Sequence, residues 1–322
     1  MALVTLSEVR KTFRRGRSPV HAVNGVDLHI EAGETLALIG ESGSGKSTVG
    51  RLALGLIQPD EGRVTVDGMQ LDGLDRKTLQ AARRNMTIVF QEPFQSLDPL
   101  MSVGRIIEEP LVIHEPSLTL TERRERVEET MRRVILDPGL YDRRPRELSG
   151  GQQQRVGVAR AIVTGPKFVV LDEPTSSLDL SVQAGILELL ANLQRDLGLA
   201  YLFISHDIGT VDYFSDRVAV MYLGQVVETG PKAAVLDTPR HPYTEALLSA
   251  ALSADPTEQP PHIALTGDIP SPTRLPDGCF FYSRCNYRGD PRCATENPPL
   301  REVAPDHWAA TFCIVGTAAE PA

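Results

Sequence analysis

A glycine-rich stretch, residues 40–48, has the residue types that bind phosphate. It follows the apolar run 35–39 and precedes a predicted helix. Glycines let the backbone wrap closely around an anion, and a helix N-terminus adds a favourable dipole. In this pattern Lys46 is expected to contact the β and γ phosphates of a nucleotide, and Ser47 to bind Mg²⁺. The predicted nucleotide-binding residues are Gly40, Glu41, Ser42, Gly43, Ser44, Gly45, Lys46, Ser47 and Thr48.

Two adjacent carboxylates end the apolar run 168–171. The end of a strand is where an open α/β sheet places its ligand chemistry. Asp172 is therefore predicted to associate with Mg²⁺. Glu173, one residue further, is predicted to polarise the attacking water as the general base.

A second glycine-rich helix start lies about one hundred residues after the first. Ser149 is the predicted N-cap, and Gly150 and Gly151 leave the backbone N–H groups of the first turn accessible to an anion. The stretch 148–155, Leu-Ser-Gly-Gly-Gln-Gln-Gln-Arg, resembles the signature sequence of ATP-binding-cassette (ABC) ATPases. The resemblance implies a head-to-tail dimer in which Ser149, Gly150, Gly151 and Gln152 close over the partner cassette's ATP.

The same resemblance implies roles for four single residues. Gln91, after the predicted strand 86–90, would touch Mg²⁺ and signal to the membrane partner. Asp179 would cross the dimer interface, and His206 would contact the γ-phosphate, which makes it catalytic together with Glu173 and Lys46. Phe13 resembles the aromatic residue on which adenine stacks, the alternative being an ordinary core phenylalanine.

Three further stretches resemble a subfamily, the ATPase subunits of bacterial oligopeptide/dipeptide importers. They are residues 91–99, residues 241–248 and the cysteine-bearing tail. Nickel importers and some sugar importers share these stretches, so those solutes stay open. The resemblance implies ATP and Mg²⁺ as cofactors. It also implies two transmembrane permeases, an extracytoplasmic solute-binding protein, and a second cassette that is a copy of this chain or a sister subunit.

Composition weighs against the alternative of a cassette ATPase that acts on nucleic acid or in translation. Lys and Arg number 33 against 42 Asp and Glu, a net charge of −9, and aromatic residues make up only 5%. Neither broad electrostatic capture of nucleic acid nor base stacking is expected from such a chain. A cassette ATPase that serves cofactor assembly is a third interpretation, supported only by the tail cysteines.

All four cysteines, Cys279, Cys285, Cys293 and Cys313, lie near the C-terminus. Their spacing is not the paired C-x₂-C pattern usual for structural zinc. Four thiolates brought together by loops would suit Zn²⁺ or an iron–sulfur cluster. Free buried thiols are the third possibility, and the resemblance to importer ATPases with such tails favours a [4Fe–4S] cluster.

The predicted fold is α/β, a phosphate-loop cassette with a parallel core sheet and an antiparallel β subdomain. Residues 1–236 form the cassette, with a helical insert at 93–147, and residues 237–322 form the extension with the four cysteines. No apolar run is long enough to cross a bilayer, and no export signal is apparent. The expected location is peripheral, on the cytoplasmic face of the inner membrane.

Overall fold

Parallel strands form the sheet of the first of two units, which comprises residues 2–3, 30–34 and 66–203. The computed structural model describes residues 2–16, 18–91, 96–250, 263–265 and 267–316. Residues 92–95 of the subfamily stretch, Arg17 and the prolines at 256, 260 and 261 lie outside the described residues.

In the first unit, three strands follow the order β8, β7, β6. Strand β6 pairs in parallel with β7, with Met86 opposite Phe168 and Val89 opposite Leu171. The strands of this unit are β5 (Met69–Gln70), β6 (Met86–Val89), β7 (Phe168–Asp172) and β8 (Ala200–Ile204). Near-continuous apolar runs such as Phe-Val-Val-Leu suit a parallel strand because both of its faces are buried.

Five helices are described in the same unit. They are α2 (Arg76–Ala82), α3 (Val103–His114), α4 (Leu120–Arg133), α5 (Gly150–Ile162) and α6 (Leu180–Leu197). Helix α4 begins with a capping box, in which Thr119 and Glu122 each satisfy the other's backbone N–H. Helices α3 and α4 and short 3₁₀ turns lie in the described part of the predicted insert 93–147, in keeping with its helical prediction.

The second unit comprises residues 4–29, 35–65 and 204–316 of the described chain. Its strands β3 and β9 are parallel, with Leu38 opposite Ala219, whereas β9 and β10 are antiparallel. Strands β2, β1 and β4 are neighbours, in that order, in a second sheet. The strands are β1 (Val4–Arg15), β2 (Ser18–Ile30), β3 (Thr35–Ile39), β4 (Glu61–Val66), β9 (Arg217–Tyr222), β10 (Gln225–Pro231), β11 (Arg301–Ala304) and β12 (His307–Ala309). The helices are α1 (Lys46–Ala53), α7 (Ile208–Phe214), α8 (Lys232–Asp237) and α9 (Pro242–Ser249).

The C-terminal extension contributes two strands to the sheet of the second unit. Strand β12 pairs antiparallel with β10, with Glu228 opposite Ala309, and β11 pairs antiparallel with β12. The extension therefore adds to the sheet of the cassette and does not form a sheet of its own. The predicted boundary at residue 236 and the limits of the insert stay predictions.

A fully buried carboxylate, Glu228, ties this junction together. Its two oxygens accept the backbone N–H groups of Arg240 at 2.7 Å and His241 at 2.9 Å. His307 Nε2 lies 2.6 Å from Glu228 Oε1. Buried polar groups are stable only when hydrogen-bonded, so this set fixes β10, the start of α9 and β12 to one another.

Several element boundaries differ from the prediction. The sequence also predicts helices at 46–56 and 243–252, and these end at Ala53 and Ser249, while the predicted strand 86–90 ends at Val89. For the antiparallel β subdomain the sequence predicts strands at 3–9 and 26–30, which in the structure are longer, at 4–15 and 18–30. The structure also contains α7 and strands β9 to β12, which were not predicted. Among the described residues, no helix is both long enough and apolar enough to cross a membrane.

Candidate nucleotide-binding site

The predicted phosphate loop joins β3 to α1 within the second unit. Gly40, Gly43 and Gly45 have φ of 144°, 80° and 107°, the region that favours glycine. A Cβ at Gly40 would collide with the carbonyl oxygen of Met221, and one at Gly45 with that of Ala22. The sequence thus adopts a tight loop that side chains at these positions would not allow.

Lys46 lies inside this loop. Its Nζ donates hydrogen bonds to the carbonyl oxygens of Gly40 at 2.7 Å and Glu41 at 3.1 Å, and the side chain is buried. Ser47 and Thr48 follow in the first turn of α1, and Ser44 is buried. A buried ammonium at a helix N-terminus, inside a glycine loop, fits a phosphate group.

Gln91 and Glu173 meet in the first unit. Gln91 Nε2 donates a hydrogen bond of 3.0 Å to Glu173 Oε2. Glu173 directly follows β7 and has φ of 47°, an unusual conformation for a residue that is not glycine. Ser176 donates both its backbone N–H and its Oγ to the Glu173 carbonyl oxygen, so a turn fixes this backbone. Asp172 is the last residue of β7, directly before Glu173.

Helix α5 begins as the sequence predicts. Ser149 Oγ accepts the N–H of Gln152 at 3.3 Å, and Gln152 Oε1 accepts the N–H of Ser149 at 2.9 Å, which completes a capping box. Ser149 and Gly150 are exposed. The start of the helix is therefore open to a ligand while its own N-cap is satisfied.

Two contacts hold this helix against the segment that follows Glu173. Gln154 Nε2 donates a buried hydrogen bond of 2.7 Å to the carbonyl oxygen of Pro174. A Cβ at Gly151 would lie 2.7 Å from Cγ1 of Val182 in α6, too close for a real side chain. Packing against Val182 thus favours glycine at position 151.

The remaining predicted residues lie at the ends of elements or on the surface. Asp179 is the N-cap residue of α6, and its side chain forms no capping hydrogen bond. His206 follows β8 by two residues and is exposed. Phe13, in β1, is 39% exposed with Lys11 Nζ 5.8 Å from its ring centroid, which does not fit the alternative of a core phenylalanine.

The four cysteines lie in one segment of the second unit. The sulfur atoms of Cys293 and Cys313 are 3.8 Å apart, and the N–H of Cys279 donates to the carbonyl oxygen of Cys293. Burial, together with the neighbouring Cys313, raises the pKa of Cys293 to about 12. Among the described residues, no three His, Cys, Asp or Glu side chains are grouped to hold a metal ion. Of the predicted four-cysteine site, the described structure therefore shows only the sulfur pair of Cys293 and Cys313 in an arrangement that fits a metal ion.

Family models match most of the chain. Residues 23–176 match the family described as ABC transporter, and residues 227–293 match the oligopeptide/dipeptide transporter C-terminal region. A putative peptide import ATP-binding protein of Brucella ovis is 44% identical over 312 residues, which cover 97% of each chain. This chain belongs to the ABC transporter ATPases. The predicted family resemblance is confirmed.

Other relatives of this ABC ATPase have similar names. A probable peptide ABC transporter ATP-binding protein of Sinorhizobium fredii is 46% identical, over 89% of this chain and 81% of the relative. The oligopeptide transport ATP-binding protein AppF of Bacillus subtilis is 43% identical, over 92% of this chain and 91% of the relative.

Solved cassettes have the same fold. The dimeric ATP-binding cassette MJ0796, in a post-hydrolysis state bound to ADP and Pi, superposes with a TM-score of 0.65 at 33% identity. The match covers 71% of this ABC ATPase and 98% of that chain. Protein cbiO1 of Clostridium perfringens, part of the ABC transporter complex cbiONQ, gives 0.66 at 32% identity, over 73% of this chain and 91% of its own. The predicted α/β cassette fold is confirmed.

Sequence reasoning missed the residues that hold the phosphate loop from outside. Arg284 forms a two-bond ion pair with Glu41, and the N–H of Glu41 donates to Tyr243 Oη. The available signal was a charged residue directly before Cys285, but Arg288 and Arg292 follow it closely and nothing in the sequence distinguishes the three. It carried no information about its partner, which lies 243 positions away.

Proposed function

We propose that the chain is the ATP-hydrolysing, energy-coupling subunit of a binding-protein-dependent importer of dipeptides or oligopeptides. The observation that carries the proposal is the presence, in one chain, of the ABC transporter match at 23–176 and the oligopeptide/dipeptide transporter match at 227–293. Relatives at 43–46% identity over most of the chain are named for peptide import or transport.

The catalytic roles follow from the predicted residues. Lys46 and the loop glycines bind the phosphates, and Ser47, Gln91 and Asp172 would hold Mg²⁺, which when bound offsets the negative charge of the phosphates. Glu173 takes a proton from water as the water oxygen bonds to the γ-phosphorus. The bond from that phosphorus to the bridging oxygen breaks, which leaves ADP and inorganic phosphate. The Gln91 hydrogen bond supports this role because it orients the Glu173 carboxylate.

The signature helix acts on a second nucleotide. Ser149, with Gly150, Gly151 and Gln152, presents an exposed helix start, which supports contact with the ATP of a partner cassette. Asp179, His206 and Phe13 are assigned to the interface, the γ-phosphate and the adenine, respectively. The dimeric cassette among the structural relatives supports this arrangement.

The partners are two transmembrane permeases, a second cassette and, indirectly, an extracytoplasmic solute-binding protein. The subunit would thus be peripheral, on the cytoplasmic face of the inner membrane. Affinity purification of the tagged chain from detergent-solubilised native membranes tests this assignment. We expect two multi-span proteins in stoichiometric amounts, with Lys46→Ala as a matched control that still assembles. Recovery of nucleic acid or of soluble scaffold proteins, without permeases, would contradict the assignment.

A [4Fe–4S] cluster or zinc in the tail stays part of the proposal. It is supported by the four cysteines within one segment and by the 3.8 Å sulfur pair of Cys293 and Cys313. The group would add folding stability to a tail rich in proline and loops. Anaerobic purification followed by iron, sulfide and zinc analysis tests it. Less than about a tenth of an equivalent of each, with four freely titratable thiols, would leave the cysteines as packing residues.

A further inference from the structure

A bidentate ion pair connects the C-terminal extension to the phosphate loop. Arg284 Nη1 donates to Glu41 Oε2 at 2.7 Å, and Arg284 Nη2 donates to Glu41 Oε1 at 3.0 Å. The Arg284 side chain is only 7% exposed. The hydrogen bonds that Arg284 donates to the Glu41 carboxylate raise the pKa of Arg284 above its already high ordinary value. Two parallel charge-assisted bonds fix both the position and the orientation of a carboxylate.

The backbone of Glu41 is held as well as its side chain. Its N–H donates a hydrogen bond of 2.9 Å to the hydroxyl of Tyr243, which is fully buried in α9. The carbonyl oxygens of Gly40 and Glu41 accept from Lys46 Nζ. The entrance of the loop is therefore fixed at three points, the side chain of Glu41, its N–H and the carbonyls around it. Of these contacts, only the hydrogen bonds from Lys46 come from a residue of the loop; the other two come from Arg284 and Tyr243.

An aromatic cluster of Tyr222, Tyr243 and Phe281 supports these groups. The Tyr222 ring centroid lies 4.7 Å from that of Tyr243 and 5.3 Å from that of Phe281, and Tyr243 and Phe281 are 5.4 Å apart. Arg284 Nη1 is 3.5 Å from Tyr222 Oη. Packed aromatic pairs of this geometry are mutually stabilising. Arg284 thus lies against Tyr222 of β9, which in turn packs on Tyr243 of α9 and Phe281 of the extension.

The backbone around Arg284 belongs to the cysteine segment. Arg284 is the last residue of the 3₁₀ turn 282–284, between Cys279 and Cys285. The N–H of Tyr282 donates to the carbonyl oxygen of Cys279, and that of Cys285 donates to the carbonyl of Tyr282. A Cβ at Gly278 would lie 2.5 Å from the carbonyl oxygen of Cys293. The position of the guanidinium group is therefore set by close packing within the cysteine segment.

We propose that Arg284 is a positioning residue for ATP binding. It holds Glu41, and through Glu41 it holds the entrance of the phosphate loop in the shape that receives the nucleotide. Lys46 must release the carbonyls of Gly40 and Glu41 to reach phosphate, so the loop needs another support at that moment. The ion pair and the Tyr243 hydrogen bond provide that support. The inference deepens the proposed function because it assigns the C-terminal extension a part in binding ATP.

The test measures ATP affinity and thermal stability of the full-length chain. Arg284→Ala is expected to weaken ATP binding about tenfold, the scale of a lost charge-assisted hydrogen bond. Arg284→Lys is expected to recover part of the affinity, because an ammonium group forms one such bond where the guanidinium forms two. Arg292→Ala is the matched control. It removes an arginine of the same segment that pairs with Asp290 and stacks on Phe312.

A double-mutant cycle separates positioning from general destabilisation. Glu41→Gln alone is expected to weaken ATP binding several-fold, and the Glu41→Gln/Arg284→Ala double variant to be no weaker than Arg284→Ala, because both changes break one contact. If Arg284→Ala does not fold, the ATP affinities of Arg284→Lys and Glu41→Gln are compared with that of the wild type instead. These two conservative variants are expected to be more stable. ATP affinity within twofold of the wild type in folded Arg284 variants, or effects that multiply, would overturn the inference. A wild-type chain that binds no Mg·ATP would instead overturn the proposed function.

Discussion

The side-chain amide of Gln91 donates a 3.0 Å hydrogen bond to the carboxylate of Glu173. The two residues are 82 positions apart and follow the neighbouring parallel strands β6 and β7. The carboxyl ends of neighbouring parallel strands lie at one edge of a sheet, which brings these side chains together. A residue assigned to signalling towards the membrane partner is thus in direct contact with the proposed general base. A movement of the segment at Gln91 would therefore change the orientation of the base.

Glu173→Gln is expected to retain ATP binding and to lower turnover by about 10²-fold or more, because water loses its proton acceptor. Steady-state ATP hydrolysis and ATP titration check the two expectations separately. Glu188→Gln, an exposed change in α6, is the matched control. Turnover of the Glu173 variant within a few-fold of the wild type would remove this residue from the mechanism.

Mixing two inactive variants tests whether the signature helix acts on the other subunit's nucleotide. Ser149→Arg is expected to abolish hydrolysis while ATP binding survives, and Lys46→Ala to weaken binding itself. Mixed dimers contain one intact composite site, so measurable hydrolysis should return when the two are combined. Failure to recover activity would contradict composite sites between copies of this chain.

Gly151→Ala is expected to destabilise the chain and to lower turnover, because the added Cβ would lie 2.7 Å from Val182 Cγ1. The double variant Gly151→Ala/Val182→Ala removes the clash and should recover most of the lost stability. Gly157→Ala is the control in the same helix. Its Cβ meets nothing within 4 Å, so a gain of about 0.5–1 kcal/mol is expected. Equal thermal unfolding temperatures for both glycine variants would contradict this account of the packing.

Acid stability should depend on His241, whose ring is buried at the start of α9 and accepts the N–H of Tyr243 on Nδ1. Burial lowers the pKa of His241 to about 4, from an ordinary value near 6.5. The unfolded chain then binds more protons between these two values, so stability is lost as the pH falls from 6.5 towards 4. The loss amounts to at most about 3 kcal/mol.

His241→Asn keeps a side-chain acceptor for the helix start and removes the titration. Its unfolding free energy, measured with urea between pH 4 and pH 7, should vary less with pH than that of the wild type. His29→Asn, an exposed change in β2, is the control and should leave the profile unaltered. If the unfolding free energies of the wild type and the His241 variant change with pH in parallel, this histidine is excluded as the source of the acid sensitivity.

Local sequence patterns predicted the elements that carry the chemistry. Phe168 to Asp172 is a strand because it is a continuous apolar run, and Ser149 starts a helix because its side chain and that of Gln152 satisfy the first N–H groups. The distant contacts were not predictable in this way. Glu228 pairs with His307 across 79 positions, and Arg284 with Glu41 across 243, and neither pairing leaves a local pattern. Strands β11 and β12 were missed because they are short and depend on distant partners for their hydrogen bonds, β12 on β10 and β11 on β12.

ATP-dependent peptide uptake tests the central claim most directly. The chain, assembled with its co-purifying permeases in liposomes, is supplied with solute-binding protein and a labelled oligopeptide pool on one face and Mg·ATP on the other. The wild type should accumulate peptide only with ATP, and Glu173→Gln and Lys46→Ala should each abolish uptake without preventing assembly. ATP hydrolysis that proceeds without any peptide accumulation, or uptake that the Glu173 variant sustains at the wild-type rate, would contradict the assignment of this chain as the energy-coupling subunit of a peptide importer.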